Sequence, residues 1–228
     1  MAVMVEKQEM SSRRLALREA LASSALRIIS ERGYQALRAR DVAEAVGCAL
    51  GAIYNVFTDL DALILAVKER TLDILEAEMI ERIGSAENLF LGDMSMARVV
   101  AERRLQKLAE LYLTFAAEQP RLWQAVFEHR SPDAIVPDTY MVKLEGVLRY
   151  VERPLEVLAP ELSSTERQLW ARALFSAIHG VVALGMDQKL GPLTAESLKW
   201  QVETLVHAAA VGFSGERCGS TVEPDPDN

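Results

Sequence analysis

The chain has 228 residues, half of them apolar, and a formal net charge of −8. This composition allows a substantial buried core, and the low Gly and Pro content excludes a collagen-like or low-complexity protein. We find no apolar run of membrane-spanning length and no signal peptide, and Cys48 and Cys218 lie far apart. We therefore expect a reduced, cytoplasmic protein that has no disulfide and does not contact a membrane.

The charge is unevenly divided along the chain. Residues 1–70 carry ten basic and nine acidic side chains, whereas the remainder carries fifteen basic and twenty-four acidic ones. This division allows a DNA-facing N-terminal end on an acidic body, although charge imbalance alone does not identify a DNA-binding protein.

Apolar residues recur at helical spacing from the first third of the chain onward. Leu17, Leu21, Ala25 and Ile28 form a stripe that ends near Gly33, where a helix can stop. Two short helices are predicted at about 38–46 and 50–56, separated by a glycine. The segment TDLD at 58–61 predicts the start of a long helix that runs to about residue 83, with Thr58 as its cap.

The second part of the chain predicts five further helices. They cover about 96–118, a short stretch opened by Pro120, 139–158, 165–188 and a last helix that ends near 213. The pattern indicates an all-α fold with about nine helices: a helix-turn-helix domain at 1–60, a larger helical ligand-binding and dimerisation domain at 61–213, and a disordered tail at 214–228.

The two short helices around Gly47 have the spacing of a helix-turn-helix. The string ALRIISERGYQALRARDVAEAVGCALGAIYNVFTDLDALI resembles the N-terminal domain of the TetR family of bacterial transcriptional regulators. The positions that carry this resemblance are Gly33, Tyr34, Val42, Ala43, Gly47, Gly51, Ile53, Tyr54, Phe57, Asp61 and Leu63. The resemblance implies a dimeric, sequence-specific transcriptional regulator that binds an operator in double-stranded DNA and is released by a small molecule.

The C-terminal part carries a weaker likeness. The segments EQPRLWQAVFEHR and ALFSAIHGVVALG resemble the regulatory domain of a TetR subgroup that has an aromatic residue and then His-Gly on its penultimate helix. Phe175, His179 and Gly180 would be those positions.

Several residues depart from the family pattern. Arg38 and Ala49 stand where the family usually has a Ser or Thr cap, and Leu60 stands where a Lys commonly grips phosphate. The His often found in the last turn of the recognition helix is replaced by Asn55 or Val56. These departures leave open an alternative, a TetR-like interaction protein that has lost specific DNA binding.

The recognition helix and its turn carry no charge between Ala45 and Phe57, so cations must come from elsewhere. Arg13 and Arg14 could contact phosphates, as could Arg18, and Arg40 could grip a guanine. Apolar side chains could pack on thymine methyl groups. The predicted DNA-binding residues are Arg13, Arg14, Arg38, Arg40, Ala49, Leu50, Gly51, Ala52, Tyr54 and Asn55.

Aromatic residues at helical spacing in the second domain are usually core, but they can also line a pocket for an apolar or aromatic ligand. The predicted ligand-binding residues are Tyr112, Phe115, Trp123, Phe127, Tyr140, Met141, Phe175 and His179.

Two stripes of small and apolar residues on the last two helices predict a four-helix interface in a homodimer, unless they complete the core of their own subunit. They consist of Leu169, Ala173, Ala177, Gly180, Leu184, Leu198, Val202, Leu205 and Ala209. No nucleophile motif, phosphate loop or metal-ligand spacing is found, so we expect neither an enzyme nor a cofactor or metal site.

Overall fold

The computed structural model describes residues 2–87, 94–130, 137–189 and 191–213, and within these ranges the protein is all-α. The prediction of a disordered tail at 214–228 lies outside the described residues. A 3₁₀ turn at Tyr34–Ala36 follows the first helix. The nine α-helices of the described ranges are α1 (Ala2–Arg32), α2 (Ala39–Val46), α3 (Leu50–Tyr54), α4 (Leu60–Ile83), α5 (Met94–Glu118), α6 (Pro120–Phe127), α7 (Asp138–Leu158), α8 (Ser164–Met186) and α9 (Ala195–Gly212).

Local signals explain several helix ends. Gly47 ends α2 in the left-handed conformation, with φ of 74°, which glycine adopts without a steric penalty. Ser163 and Glu166 form a reciprocal capping box at the start of α8. The predicted cap Thr58 is corrected to Asp59, whose Oδ1 accepts a hydrogen bond of 2.7 Å from the Ala62 amide. The carboxylate one residue later is better placed, and it also suits the positive end of the helix.

Two hydrophobic cores are stacked along the molecule. The first joins α1, α2 and α3 to the beginning of α4, and its fully buried side chains include Leu21, Ile29, Val42, Ile53 and Phe57. We call this part, residues 2–67, the head. The second core is formed by the rest of α4 together with α5, α7, α8 and α9, and the described residues after 67 are called the body.

Two helices belong to both cores. On α4, Leu63 and Val67 lie in the head core, whereas Leu72 lies in the body core. On α6, Leu122 is buried in the head core and Trp123 in the body core. The domain boundary predicted after residue 60 therefore falls at the start of a helix that both cores share, and the head core continues to Val67.

Helix α8 corrects the expectation that the chain has no apolar run of membrane-spanning length. It is long and apolar enough to span a membrane by length and composition, although only 22% of its most apolar stretch is buried. The run is not evident from the sequence because Arg172 and His179 lie within it. One face of α8 packs in the body core through Leu174, Ile178 and Val182, which leaves an apolar face uncovered.

Candidate DNA-binding and ligand-binding sites

The helix-turn-helix is built around the predicted turn. The Cys48 amide donates to the Ala43 carbonyl at 3.0 Å, and the buried side chains of Ala43 and Ile53 hold α2 against α3. This packing turns the other side of α3 to solvent. Leu50 is 41% and Tyr54 is 51% exposed.

The other residues predicted to meet DNA on α3 and beside it do not share one environment. Ala49, Gly51 and Asn55 are exposed, whereas Ala52 is half-buried. The structure therefore presents an uncharged surface on α3, and a major groove is wide enough to admit an α-helix.

Neither α2 nor α3 has a side-chain cap, as the departures at Arg38 and Ala49 predict. Arg38 has a different task. Its guanidinium donates to the carbonyls of Gln35 and Leu37, at 2.9 and 3.0 Å, and so closes the turn before α2. Arg38 is exposed, but these two bonds fix its side chain along the head.

The cations of the head fall into two groups. Arg32 pairs with Asp41 at 3.4 Å, and Arg18 lies over the Phe57 ring at 4.5 Å from its centroid. In contrast, Arg13, Arg14 and Arg40 are exposed. Within the described part of the chain, none of the three makes an ion pair or a side-chain hydrogen bond. Their charges are available to a polyanion.

The body contains a cavity of about 50 Å³. Its wall draws on α4, α5, α7, α8 and α9, with Met79, Leu105, Val147, Ile178 and Val206 as one residue from each. Of the eight residues predicted to bind ligand, Tyr112 and Phe175 line this cavity.

The other six do not line the cavity. Phe115 and Trp123 are buried in the body core, and Phe127 and Tyr140 pack against it. Met141 and His179 are half-buried. The aromatic residues are thus mostly core, which was the alternative reading of their spacing.

Three of the predicted ligand-binding residues are joined by hydrogen bonds that no sequence pattern announces. The Trp123 Nε1–H donates to the Tyr112 hydroxyl at 2.7 Å, and that hydroxyl lies 2.7 Å from Nδ1 of His179. Because an indole can only donate, the Tyr112 hydroxyl accepts from Trp123; its own proton can donate to Nδ1 of His179 when that ring carries its proton on Nε2. We call these three residues the polar trio; it links α6, α5 and α8.

Burial sets the protonation of the polar trio. It raises the pKa of Tyr112 far above its ordinary value and lowers the pKa of His179, since the charged form of each group is poorly solvated there. Burial therefore favours the protonated phenol and the neutral imidazole, and a neutral ring with its proton on Nε2 presents Nδ1 as the acceptor for the phenol.

Helix α6 is held to the head at both ends. At its start, the Arg121 guanidinium donates to the carbonyls of Ser30 and Glu31 in the last turn of α1. These carbonyls have no partner within α1, so Arg121 acts as a cap supplied by the body.

After the end of α6, His129 contacts the start of α4 and the 3₁₀ turn. Its Nε2 lies 3.1 Å from the Asp61 carboxylate, and its carbonyl accepts from Lys68 Nζ at 2.7 Å. Its ring packs edge-on against Tyr34 at 5.4 Å. The sequence does not predict these contacts of Arg121 and His129, because their partners lie 60 or more residues away.

The uncovered face of α8 carries most of the predicted interface residues. Leu169, Ala173, Ala177 and Leu184 are exposed, and Gly180 is half-buried. Trp170 adds a large exposed side chain, 48% accessible, that packs edge-on against Phe213.

The stripe predicted on α9 needs a correction. Leu198 and Val202 are buried in the core of their own subunit, where Leu198 lies against Gly185 of α8, so they do not lie on a free face. Leu205 and Ala209 are half-buried at its margin. The exposed apolar side chains of α9 are instead Trp200, 64% accessible, and Val211. Apolar residues lie on both faces of this helix, so helical spacing alone does not decide which face is free.

Two family profiles match the sequence. Residues 21–67 match the profile described as "Bacterial regulatory proteins, tetR family", and residues 105–207 match "Tetracyclin repressor-like, C-terminal domain". The first covers the head core, and the second covers most of α5 through α9. Among curated protein sequences, none matches this chain.

Solved structures share the fold. A TetR transcriptional regulator from Rhodococcus sp. RHA1 is 16% identical with a TM-score of 0.59, over 87% of this chain and 96% of that one. A protein from Saccharomonospora viridis, crystallised with choline, is 17% identical with a TM-score of 0.60, over 84% and 96%. The regulator FadR from Bacillus subtilis, in complex with stearoyl-CoA, is 16% identical with a TM-score of 0.53, over 85% and 98%.

Proposed function

We propose that this chain, which belongs to the TetR family of bacterial transcriptional regulators, acts in the cytoplasm as a homodimeric repressor that a small apolar ligand releases from its operator. The observation that carries the proposal is the head surface, where an uncharged recognition helix is exposed and Arg13, Arg14 and Arg40 make no ion pair within the described residues. A regulator of this family is not an enzyme.

On the head, separate residues are available for phosphate contacts and for base contacts, which supports specific DNA binding. Arg13 and Arg14 are exposed cations on α1 and can neutralise phosphates, which gives affinity without sequence preference. Arg40, on the first turn of α2, is proposed to grip a guanine, while Leu50 and Ala52 contact thymine methyl groups and Asn55 pairs with an adenine.

The roles of the remaining head residues follow from their surroundings. Tyr54 is proposed to contact the DNA backbone. Ala49 and Gly51 are exposed beside the first turn of α3 and allow a close approach to the duplex. Arg38 is bonded to two carbonyls of its own turn, so its contribution is to position α2 and to add charge.

The exposed faces of α8 and α9 support the homodimer. Leu169, Trp170 and Trp200 expose much of their apolar surface, and Ala173 and Ala177 would let two copies of α8 approach closely. Two such helix pairs related by a two-fold axis form a four-helix interface, and the dimer would present two recognition helices to two half-sites.

The small cavity and helix α6 support control by a ligand. A ligand shifts DNA binding only if it binds one arrangement of the two heads better than the other. Helix α6 is placed to carry that difference, because Trp123 packs in the body core beside Tyr112 while Leu122, Arg121 and His129 are fixed to the head. The choline and stearoyl-CoA complexes of the same fold also favour a small organic ligand.

The experiment is a selection of bound duplexes from a random DNA pool, without any ligand. We expect a palindromic consensus with half-sites about one helical turn apart. If the pool stays random after repeated rounds while the protein remains folded and dimeric, the alternative holds: a TetR-like interaction protein that has lost specific DNA binding. The missing caps on α2 and α3 are the observation that favours that alternative.

A further inference from the structure

Tyr112 occupies a particular position in the cavity wall. Among the described residues that line the cavity, it is the only one whose side chain carries a hydroxyl, amide or charged group. Its hydroxyl accepts from Trp123 on α6 and lies 2.7 Å from Nδ1 of His179 on α8, to which it donates when that ring carries its proton on Nε2. A molecule that displaces Tyr112 therefore disturbs a bond to the helix that is held to the head.

The present cavity is too small for a ring. Its volume of about 50 Å³ is a third of the roughly 150 Å³ of an apolar cavity known to admit benzene. A ring-sized ligand thus needs the wall to move. Tyr112 and Phe175 are the aromatic side chains of that wall, and they contact each other edge-on at 5.4 Å.

Moving Tyr112 separates its hydroxyl from His179. A buried phenol without an acceptor is unfavourable, whereas a ligand oxygen within reach restores the lost bond. A pure hydrocarbon cannot do this. The neutral phenol remains a donor at every physiological pH, since burial raises its pKa.

We propose that the effector of this cavity is a ring-sized apolar molecule with one hydrogen-bond acceptor, such as an aryl ketone or ester, which accepts the hydrogen bond of the Tyr112 hydroxyl in place of His179. The displaced hydroxyl then no longer accepts from Trp123, which loosens Trp123 on α6. This inference rests on the proposed function, because it names the ligand class and the release step of that regulator.

Acetophenone and ethylbenzene test the ligand class, because they share the same carbon skeleton and differ in the carbonyl oxygen. Affinity of each for the full-length dimer is measured by calorimetry, and operator affinity by anisotropy of a labelled selected duplex, at equal free concentrations. We expect acetophenone to bind about tenfold more tightly, the value of one added hydrogen bond, and to release the operator more effectively.

Tyr112→Phe removes the donor, and Tyr150→Phe is the matched control because Tyr150 is buried in the same core without lining the cavity. The preference for acetophenone is expected to vanish in Tyr112→Phe and to persist in Tyr150→Phe. In Trp123→Phe, the preference in ligand affinity persists, because the Tyr112 proton remains, while operator release is lost.

Equal affinity of the wild type for the two probes, or binding of neither, overturns the inference, as does a preference that survives in Tyr112→Phe. These results leave the proposed function standing wherever the selected operator is still bound and other apolar compounds release it. Loss of operator selection itself would instead contradict the proposed function.

Discussion

In the head, most of the residues proposed to meet DNA are exposed, whereas in the body Tyr112 and Trp123, which are proposed to respond to a ligand, are buried and bonded to each other. Tyr54 and Arg40 are exposed, while Tyr112 and Trp123 are buried and share a 2.7 Å hydrogen bond. A DNA duplex cannot enter the protein, so the residues that contact it must already be exposed. A small ligand can instead displace buried side chains, provided that few hydrogen bonds, such as those of Tyr112, are broken.

The two regions also differ in their sensitivity to change. The proposed contacts of the head are separate from its core, so substitutions there are expected to alter DNA binding with little effect on folding. In the body, the same side chains serve both packing and signalling. Four predictions sharpen this difference, beginning with the largest effect.

Ala177→Glu places a charge on the exposed face of α8 that we propose to be buried between two subunits. An unpaired buried charge costs about 3–5 kcal/mol, so the dimer is expected to dissociate and operator affinity to fall steeply. Sedimentation measures the first effect and anisotropy the second. Ala77→Glu on the exposed side of α4 is the matched control and stays dimeric; a dimeric Ala177→Glu protein would move the interface to other helices.

Arg40→Ala tests direct base reading. Loss of a guanine contact is expected to weaken binding to the selected operator by about 1–3 kcal/mol and to relax one base position. Arg27→Ala is the control, because Arg27 is already paired with Glu31 on α1. Uniform weakening on all duplexes would reassign Arg40 to a phosphate, and an unchanged affinity would remove it from the interface.

Ala49→Ser supplies the missing cap of α3. The extended backbone at residue 49, with φ of −67° and ψ of 144°, suits a capping residue, so the free energy of unfolding is expected to rise by about 1 kcal/mol. A new phosphate contact would also steepen the salt dependence by about one unit. Ala45→Ser within α2 makes the same chemical change without a cap and is expected to give no gain; equal stability of the two variants would refute the capping account.

The smallest expected effect is a pH dependence of stability that originates in the body. Burial lowers the pKa of His179 from its ordinary value of 6.5, so below that pH the unfolded chain binds a proton that the folded protein resists. The free energy of unfolding is therefore expected to fall as the pH drops below about 6.5, until the folded-state pKa is reached.

Chemical denaturation at neutral and mildly acidic pH measures this dependence. His179→Gln is expected to reduce the loss on acidification. An unchanged loss in His179→Gln would mean that other groups carry the dependence.

What the sequence could predict follows from the range of the forces involved. Helix ends such as Gly33 and Gly47 and the helix-turn-helix spacing are encoded within a few residues, and the structure confirms the all-α fold. The shift from Thr58 to Asp59 as the cap of α4 is an error of one residue at such a local signal.

Distant contacts could not be read in the same way. The bond between Tyr112 and His179 joins residues 67 positions apart, and Arg121 reaches a helix end 90 positions earlier. On α9, apolar residues lie on both faces, so periodicity could not decide that Val202 faces the core while Trp200 faces out.

The central claim is that the head still reads a DNA sequence although its recognition helix is uncharged. The most direct test is the ratio of affinities for the selected operator and for a scrambled duplex of equal length, measured by anisotropy at physiological salt. We expect the operator to bind at least about 10³-fold more tightly, the lower end for specific DNA-binding proteins. Equal affinity for the two duplexes would contradict the account.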